Sequence, residues 1–349
     1  SIARRDRSQN DEPHPPADAA DFERVHRLLR AHHSVDFSHF KQSSVERRIL
    51  RRVLLGNHDG LGSYADALEK EGTAVETLYQ DLLIGVTSFF REPARFEALK
   101  SVVFPAIFET RGAAETVRVW VAGCSTGEEV YSLGITLLEF LAGRAGAPAI
   151  AIYGTDINEK SLKKARGAVY SPRAVSGVSP QRLAQFFTAT TGGYKIGKAL
   201  RDLCIFAAHD VTRDPPYSRI DLVTCCNVLI YFDPELQKKA VALLQYALAP
   251  GGLLMVGSSE NLRRATNQLT SISAKPLIYR KLHVPAALAS LDVARRSAPS
   301  GAVAIAPAAS RIPGSSHDDD DPFLGAHLAP CGVLVNAQME ITRIRGDVA

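Results

Sequence analysis

The middle of the chain alternates between short apolar runs and segments whose apolar residues recur at helical spacing. Residues 117–122 form an apolar run, and a turn with glycine at positions 123 and 127 follows it. Apolar residues then recur at the spacing of a helix as far as Leu138. A strand that leads through a glycine turn into a helix is the opening unit of a doubly wound α/β domain, although an ordinary strand-to-helix connection gives the same local pattern.

Further apolar runs repeat this unit along the chain. They lie at 149–155, 204–207, 220–226, 253–257 and 277–281, with helical patterns between most of them. The run at 277–281 is the last and is predicted to be an edge strand. The sequence therefore predicts an α/β fold of the doubly wound, Rossmann-like type.

The remaining segments divide the chain into further regions. Helical periodicity predicts a small N-terminal helical domain over 18–84, and the α/β domain follows over 85–283. Residues 170–201 interrupt the alternation and are too many for a simple loop, so we expect an inserted subdomain there. Composition predicts linkers at 1–17 and 284–321, and the start of a further domain at 322–349.

Composition narrows the class of protein. The 349 residues are 46% hydrophobic and 22% charged, which is ordinary for a soluble globular protein, and no apolar run approaches the roughly 20 residues of a membrane span. A net charge of +4 is too small to indicate nucleic-acid binding by itself. The five cysteines show neither C-x-x-C nor metal-ligand spacing, so we expect a cytoplasmic protein without a metal site.

The two predicted strands at the start of the α/β domain are followed by residues suited to a nucleoside ligand. Asp156 ends the second strand, where a carboxylate can accept hydrogen bonds from both hydroxyls of a ribose. The turn at 123–127 lacks the G-x-G-x-x-G pattern of dinucleotide sites. Glu128 and Glu129 follow it and would repel a phosphate but attract an ammonium group. These features favour S-adenosylmethionine over NAD.

Four arginines crowd one side of a helix that is predicted to start with a capping box at 43–46; they are Arg47, Arg48, Arg51 and Arg52. Cationic side chains at this spacing repel one another. The sequence leaves two interpretations open. The arginines form either an ordinary solvated helix face or a docking surface for a polyanion or a glutamate-rich partner helix.

Two other patterns have more than one interpretation. Arg91 follows two phenylalanines that are expected to be buried, with Thr87 just before them. Such an arginine needs an anionic partner, which is either the carboxylate of a bound methionine group or a structural acid. Residues 214–217 spell the Asp-Pro-Pro-Tyr signature of adenine and amino methyltransferases, but they precede a strand instead of ending one, so we interpret them as a loop.

Five motifs occur in order within residues 20–283. They are Thr-Ser-Phe-Phe-Arg at 87–91, Ser-Thr-Gly-Glu-Glu at 125–129, Thr-Asp-Ile-Asn at 155–158, Asn-Val-Leu-Ile-Tyr-Phe at 227–232, and Pro-Gly-Gly at 250–252 with Ser-Glu-Asn at 259–261. In these motifs the chain resembles the chemotaxis receptor methyltransferases of the CheR type. The resemblance implies methyl transfer from S-adenosylmethionine to glutamate side chains of methyl-accepting chemoreceptors, which gives glutamate methyl esters and S-adenosylhomocysteine.

The resemblance also implies roles for individual residues. The implied donor-binding residues are Thr87, Arg91, Gly123, Glu128 or Glu129, Asp156, His209, Asp210, Cys226 and Asn227. Tyr231 is implied to lie near the methyl group and, with Arg91, to orient the donor. The four arginines at 47–52 correspond to a basic helix that meets the acidic methylation region of the receptor.

Some features depart from the pattern of the family. Gly85 stands where many members have Asn, Asp210 where Asn is common, and Cys226 where Arg is common. The insert lacks an obvious strand-edge motif for gripping the terminal pentapeptide of a receptor, so we do not expect that mode of tethering. Residues near 330–346 are similar to the start of a PAS domain, as in large hybrids that join methylesterase, methyltransferase and sensor modules.

The implied reaction needs little chemical assistance from the protein. A carboxylate is already nucleophilic at neutral pH and a sulfonium already carries a good leaving group, so the site has to align the reacting atoms and exclude water, without a general base. Two other functions stay open at this point. One is a methyltransferase of the same fold that acts on a nucleic acid or small molecule, and the other is a degenerate scaffold that holds S-adenosylmethionine or nothing beside a sensor module.

Overall fold

A computed structural model describes residues 16–33, 35–83, 85, 87–112, 114–144, 146–260, 262, 268–282, 332–335 and 341–345. The chain divides into two compact units, 1–289 and 290–349. None of the helices in the described ranges combines the length and the apolar character that crossing a membrane requires. Of the predicted linkers at 1–17 and 284–321, residues 1–15 and all of 284–321 lie outside the described residues, whereas residues 16 and 17 belong to a helix.

The first unit opens with four helices, α1 (Pro16–His32), α2 (Gln42–Leu55), α3 (Leu61–Lys70) and α4 (Gly72–Leu82). Each helix turns an apolar stripe inward, and the stripes meet in one core. Val25, Ile49 and Leu78 lie at its centre and are fully buried. These helices form the small helical domain.

In the described part of this unit, seven α-helices and ten strands follow. The helices are α5 (Pro93–Ala98), α6 (Phe104–Phe108), α7 (Glu128–Leu141), α8 (Glu159–Gly167), α9 (Pro180–Phe186), α10 (Lys198–Arg201) and α11 (Pro234–Ala247), with a π-helical segment, Leu99–Val103, between α5 and α6. The strands are β1 (Thr116–Ala122), β2 (Ala149–Asp156), β3 (Val169–Tyr170), β4 (Phe187–Thr190), β5 (Gly193–Ile196), β6 (Cys204–Ala208), β7 (Ile220–Cys225), β8 (Leu248–Val256), β9 (Leu269–Ala274) and β10 (Leu277–Lys281).

Seven of these strands form the central sheet in the order β6-β2-β1-β7-β8-β10-β9. Strands β6, β2, β1, β7 and β8 run parallel, and β10 runs antiparallel to β8. The chain builds outward from β1 through β2 to β6, and then returns to the other side of β1 with β7. The strand order therefore reverses beside β1, which is the position where α/β sheets bind their ligands. The predicted doubly wound α/β fold is confirmed.

Two predictions about local structure are wrong. The run at 277–281 is not an edge strand, because β9 pairs outside it. Strand β9 was missed because serine and threonine make up half of its six residues and interrupt the apolar run. The capping box at 43–46 is absent, because α2 begins at Gln42 and no side chain caps it. Contacts from outside the helix fix this end instead. The Lys41 N–H donates to the carbonyl of Tyr231 at 2.8 Å, and Phe40 forms a β-bridge with Phe232.

The segment predicted as an insert forms a separate sheet in the order β3-β5-β4. Phe89 packs against Tyr170 and Phe187 with ring centroids 4.8 and 5.4 Å apart, which fastens the insert to the chain just before α5. In the second unit, β11 (Gly332–Val335) pairs antiparallel with β12 (Ile341–Arg345), and the rest of the predicted PAS-like start lies outside the described residues.

Candidate active site

A cavity opens at the carboxyl ends of β1, β2, β6 and β7, and the helical domain forms its opposite wall. Side chains from both domains line it. The residues from the helical domain are Val35, Phe37, Phe40, Ser44, Val45, Arg48, Leu82 and Leu83. Those from the segment before β1 are Gly85, Thr87, Ser88, Arg91, Arg95 and Phe96. Those from the strand ends and the segments that follow them are Gly123, Cys124, Ser125, Glu129, Asp156, Ile157, Asn158, Ser161, His209, Asp210, Val211, Thr212, Cys226, Asn227, Val228, Tyr231 and Phe232.

Asp156 is the last residue of β2 and faces this cavity. Its Oδ2 accepts the N–H of Ser125 at 2.7 Å, and its Oδ1 accepts the N–H of Asn158 at 2.8 Å. These bonds fix the orientation of the carboxylate. Burial raises the pKa of Asp156 above its ordinary value, although the backbone N–H groups act in the other direction. A carboxylate has about four lone-pair sites, so oriented oxygens can still accept hydrogen bonds from a pair of hydroxyls.

Gly123 makes the turn after β1 possible. Its φ of +71° lies in the left-handed region, and a Cβ at this position would come within 2.3 Å of Cγ2 of Val228. The loops after β1 and β7 therefore touch at this residue. Glycine lets them close the floor of the cavity at the position where the strand order reverses.

The two acids at the start of α7 have different positions. Glu128 is buried and does not line the cavity; its carboxylate accepts the hydroxyl of Thr126 at 2.6 Å. Glu129 does line the cavity, and its Oε1 accepts the hydroxyl of Thr224 at 3.0 Å. Successive helical residues point about 100° apart, so only one of the two acids reaches the ligand side. Of the alternatives that the sequence left open, the geometry places Glu129 on the cavity.

Arg95, on α5, is a cavity residue that the sequence analysis missed. Its side chain is almost fully buried, and its Nη2 lies 3.0 Å from Oε1 of Glu129. Burial alone would lower the pKa of Arg95, but the charge of Glu129 outweighs it and holds this pKa above its ordinary value. The guanidinium is therefore charged inside the cavity wall. A sequence signal existed, since a buried arginine needs an acid, but the acid lies in a distant part of the chain.

Arg91 and Thr87, which the sequence analysis selected, also line the cavity. Both belong to the segment between the helical domain and α5. The side chain of Arg91 is exposed, in contrast to the buried Arg95. Gly85 precedes them at the cavity wall, where an added Cβ would lie 3.1 Å from the hydroxyl oxygen of Ser125.

His209 and Asp210 follow β6 on the far side of the cavity from β7. The ring of His209 stacks edge-on against Trp120, and its Nε2 lies 3.0 Å from the carbonyl of Pro215. The carboxylate of Asp210 accepts both the backbone N–H and the hydroxyl of Thr212. The Asp-Pro-Pro-Tyr segment at 214–217 has neither helix nor strand and does not line the cavity.

The loop after β7 contributes Cys226, Asn227 and Tyr231. Burial raises the pKa of the Cys226 thiol, so that it stays protonated and neutral. Asn227 adopts a left-handed conformation with φ of +62°. Glu260, which the sequence analysis quoted without a role, holds this loop: its carboxylate accepts the N–H groups of Asn227 and Val228 at 3.0 and 2.9 Å.

The four arginines of α2 do not share one environment. Arg47 and Arg51 are exposed, whereas Arg48 and Arg52 are half-buried. Arg48 donates to the backbone carbonyl of Asp81 on α4, and Arg52 donates to the Asp81 carboxylate. Arg48 also lines the cavity. The sequence could not separate these roles, because the acid that divides the cluster lies on another helix.

Unpaired polar atoms indicate what the cavity is built to hold. In the described part of the chain, seven buried side-chain nitrogen and oxygen atoms lack a hydrogen-bond partner. Five of them belong to cavity residues: Nε of Arg48, Nε and Nη1 of Arg95, Oγ of Ser125 and Nδ1 of His209. Buried groups of this kind are normally satisfied. The site therefore fits a ligand with several polar groups, as S-adenosylmethionine has.

Two family models match the chain. The model described as "CheR methyltransferase, SAM binding domain" matches residues 85–278, and the model described as "CheR methyltransferase, all-alpha domain" matches residues 20–83. Together they include every strand of the central sheet except the last residues of β10, and nearly all of the four-helix domain. Both walls of the cavity therefore lie within matched regions.

Curated relatives are similar over the same region. A putative methyltransferase, Cher3, from Pseudomonas putida is 33% identical over 66% of this chain and 84% of its own length. A chemotaxis protein methyltransferase from Listeria monocytogenes is 31% identical over 68% of this chain and 88% of its own length. An uncharacterized 104.1 kDa protein from Rhodobacter capsulatus is 34% identical over 76% of this chain, which spans only 28% of that relative.

Proposed function

Because the chain belongs to the CheR methyltransferase family, we propose that it transfers the methyl group of S-adenosylmethionine to glutamate side chains of methyl-accepting chemoreceptors, forming glutamate methyl esters. One observation carries the proposal. Asp156 ends β2 and Glu129 follows the neighbouring strand β1; both line a single cavity, and the basic helix α2 borders it. Sites for a ribose, an ammonium group and an anionic substrate thus adjoin one another.

The lining residues support one direction for the bound donor. Asp156 would accept the two ribose hydroxyls, and His209 with Asp210 would flank the adenine, since all three lie at the ends of the adjacent strands β2 and β6. Glu129 would accept the ammonium group of the methionine part. Thr87 and Arg91 would contact the same part of the donor from the segment before α5, and Asn227 would border its sulfur.

Bound S-adenosylmethionine supplies a methyl group on a sulfonium, and the carbon–sulfur bond breaks as a glutamate oxygen bonds to that carbon, with the electron pair remaining on sulfur. No proton moves in this step, so the site needs no general base. Tyr231 would orient the donor together with Arg91. A hydrogen bond from the Lys41 N–H to its carbonyl fixes the Tyr231 backbone to the start of α2, which supports this role. Because the Cys226 thiol stays protonated, it does not compete with the glutamate as the nucleophile.

The substrate would approach over α2. Arg47 and Arg51 are exposed and can meet the carboxylates of an acidic receptor helix. Arg48 lines the cavity, and its Nε lacks a hydrogen-bond partner, so it can attract the glutamate that enters. Arg52 would instead brace α2 through its ion pair with Asp81. This arrangement supports a receptor region rich in glutamate as the substrate.

The full-length context is also part of the proposal. We propose that the chain is part of a larger hybrid protein in which residues 322–349 begin a PAS-like sensor domain. The Rhodobacter relative, of which this chain spans 28%, supports only the greater length. In such a hybrid the paired strands β11 and β12 would be the first strands of that domain. A methylesterase module in the same protein would reverse the modification. We place the reaction in the cytoplasm, where receptor signalling domains lie.

Incubation with labelled S-adenosylmethionine and cytoplasmic receptor fragments tests the proposal. We expect label on the fragments that mild alkali releases as methanol, since carboxyl methyl esters hydrolyse readily. Fragments in which the methylated glutamates are replaced by alanine are the matched control and should stay unlabelled. Label that mild alkali does not release from RNA, DNA or a small molecule would show that this molecule, and not the receptor, is the substrate. Donor binding without any transfer would leave a scaffold role.

A further inference from the structure

The turn before α5, which consists of Phe90, Arg91 and Glu92, has a strained backbone. The φ of Phe90 is +49° and that of Glu92 is +59°, so both residues adopt the left-handed conformation. This conformation is uncommon for any residue with a side chain and is an outlier for one as bulky as phenylalanine. Such strain persists only where surrounding contacts hold it, and it clusters at functional sites. Arg91 lies between the two strained residues and lines the cavity.

The inserted subdomain supplies contacts that hold this turn. The guanidinium of Arg182, on α9 of the insert, lies over the ring of Phe90, 4.1 Å from its centroid. The preceding ring, that of Phe89, packs against two aromatic rings of the insert. From the other side, the hydroxyl of Ser132 on α7 accepts the N–H of Phe90 at 2.9 Å. Phe90 is therefore held both through its backbone and through its ring.

Arg182 is itself fixed in place. Its Nε and Nη2 donate to Oε1 and Oε2 of Glu139, on α7, at 2.6 and 2.9 Å. A bidentate pair of this kind sets the plane of the guanidinium, and a planar guanidinium can stack on an aromatic face. Lys100 donates to the same carboxylate from the π-helical segment. Of these two cations, Arg182 is the one that lies over Phe90.

We propose that Arg182 is a positioning residue for the donor site. By stacking on Phe90 it holds the strained turn in the conformation that places Arg91 at the cavity. The insert thus supports the donor site from outside the cavity, without touching the donor. This inference rests on the proposed function, because the donor of that reaction is the ligand whose affinity depends on the turn.

Arg182→Ala and its matched control Lys100→Ala test this role. Both remove an ion pair with Glu139, but only the first removes the cation over Phe90. We expect Arg182→Ala to weaken S-adenosylhomocysteine, measured by calorimetry, about fivefold to tenfold, since fewer molecules then hold the turn in the binding conformation. Lys100→Ala should change this affinity by less than about twofold. Urea unfolding of both variants measures the loss of stability that accompanies the lost ion pair.

A glycine at position 92 gives a readout that a purely structural role would not move. Glycine adopts the left-handed conformation without steric cost, so Glu92→Gly relieves part of the strain that Arg182 opposes. In this background Arg182→Ala should weaken S-adenosylhomocysteine by only about twofold to threefold. Arg182→Lys keeps a charge near Glu139 but loses the planar stacking, so it should retain part of the affinity. It also preserves the test if Arg182→Ala folds poorly.

The possible failures are distinguishable. Equal losses of affinity in Arg182→Ala and Lys100→Ala would show that the ion pairs of Glu139 only support the fold, and would overturn the inference. The same loss from Arg182→Ala with and without Glu92→Gly would overturn it too, because strain in the turn would then play no part. Wild-type binding with no loss in Arg182→Ala would overturn this inference alone. A wild type that does not bind S-adenosylhomocysteine would overturn the proposed function itself.

Discussion

A half-buried carboxylate, that of Asp156, and a buried one, that of Glu260, use the same local chemistry for different purposes. Asp156 ends β2 and Glu260 follows β8, and each accepts hydrogen bonds from backbone N–H groups of strand-end loops. Burial raises the pKa of both carboxyls above their ordinary values. Asp156 lines the cavity, whereas Glu260 does not. Burial and a shifted pKa alone therefore do not separate a ligand-binding acid from a structural one.

The surroundings of each carboxylate make the difference. Glu260 accepts the N–H groups of Gly257, Asn227 and Val228, and so joins its own loop to the loop after β7. Asp156 is also held by backbone N–H groups, but its carboxylate opens on the cavity. Glu260 therefore holds two loops of the cavity wall together, whereas Asp156 offers hydrogen-bond acceptors to a ligand.

Glu260→Ala should have the largest effect on stability. Removal of this carboxylate leaves three N–H groups of two loops without their acceptor. We expect the free energy of unfolding, measured with urea, to fall by about 3 kcal/mol or more. Asp156→Asn is the matched control and should lower it by less than about 1 kcal/mol. Equal losses in the two variants would remove the distinction between the two acids.

Asp156→Asn should have the largest effect on donor affinity. An amide offers one acceptor oxygen where the carboxylate offers two, and it lacks the negative charge. We expect the affinity for S-adenosylhomocysteine, measured by calorimetry, to fall about tenfold to hundredfold. Asp210→Asn is the control at the end of the adjacent strand, where the acid accepts from its own loop, and it should lose less. Unchanged affinity in Asp156→Asn would place the ribose elsewhere.

A region that touches neither acid sharpens the comparison. The double variant Arg47→Glu, Arg51→Glu reverses two exposed charges of α2. Because these side chains would meet the receptor and not the donor, we expect KM for receptor fragments to rise about tenfold while the affinity for S-adenosylhomocysteine stays constant. Arg52→Glu should instead lower stability, since it places like charge beside Asp81. Loss of donor affinity in the double variant would contradict this division of roles.

A change of pH should alter donor affinity and protein stability in opposite directions through Asp156. The expected change in affinity is smaller than in the predictions above, only severalfold. A raised pKa means that the folded protein takes up a proton more readily than the unfolded chain, so this group contributes stability at low pH that is lost as pH rises through its folded pKa. Donor binding requires the ionised form and changes in the opposite sense.

Between the ordinary pKa of an aspartate and this raised value, acidification should weaken S-adenosylhomocysteine binding in the wild type. It should also increase the difference in unfolding free energy between the wild type and Asp156→Asn. Calorimetry and urea unfolding over one pH series measure both trends. Binding in Asp156→Asn should lack this component of the pH dependence. A wild type whose affinity is constant over this range would show that Asp156 does not titrate at the ligand.

The sequence predicted features that depend on neighbours along the chain. The apolar runs identified most strands of the doubly wound sheet. The glycine at position 123 indicated a sharp turn or a close approach, and the structure has both, since its φ is +71° and an added Cβ would lie 2.3 Å from Val228. Asp156 could be selected because it directly follows an apolar run. Strand β9 was not predicted, because only three of its six residues are apolar and they do not form a continuous run.

Features that depend on contacts between distant segments could not be predicted. Arg95 looks like an ordinary helix residue until α7 brings Glu129 beside it. The division of the α2 arginines depends on Asp81, which lies on α4. The choice between Glu128 and Glu129 depends on how α7 is rotated against the sheet. In each case the sequence supplied the residue type, and the packing of separate elements determined its role.

The most direct test of the account is a crystal structure of the protein with S-adenosylhomocysteine. The account expects the ligand in the cavity at the ends of β1 and β2, with both ribose hydroxyls within hydrogen-bonding distance of the Asp156 carboxylate and the amino-acid end beside Glu129. A ligand bound away from Asp156, or with its ribose and amino-acid ends exchanged, would contradict it.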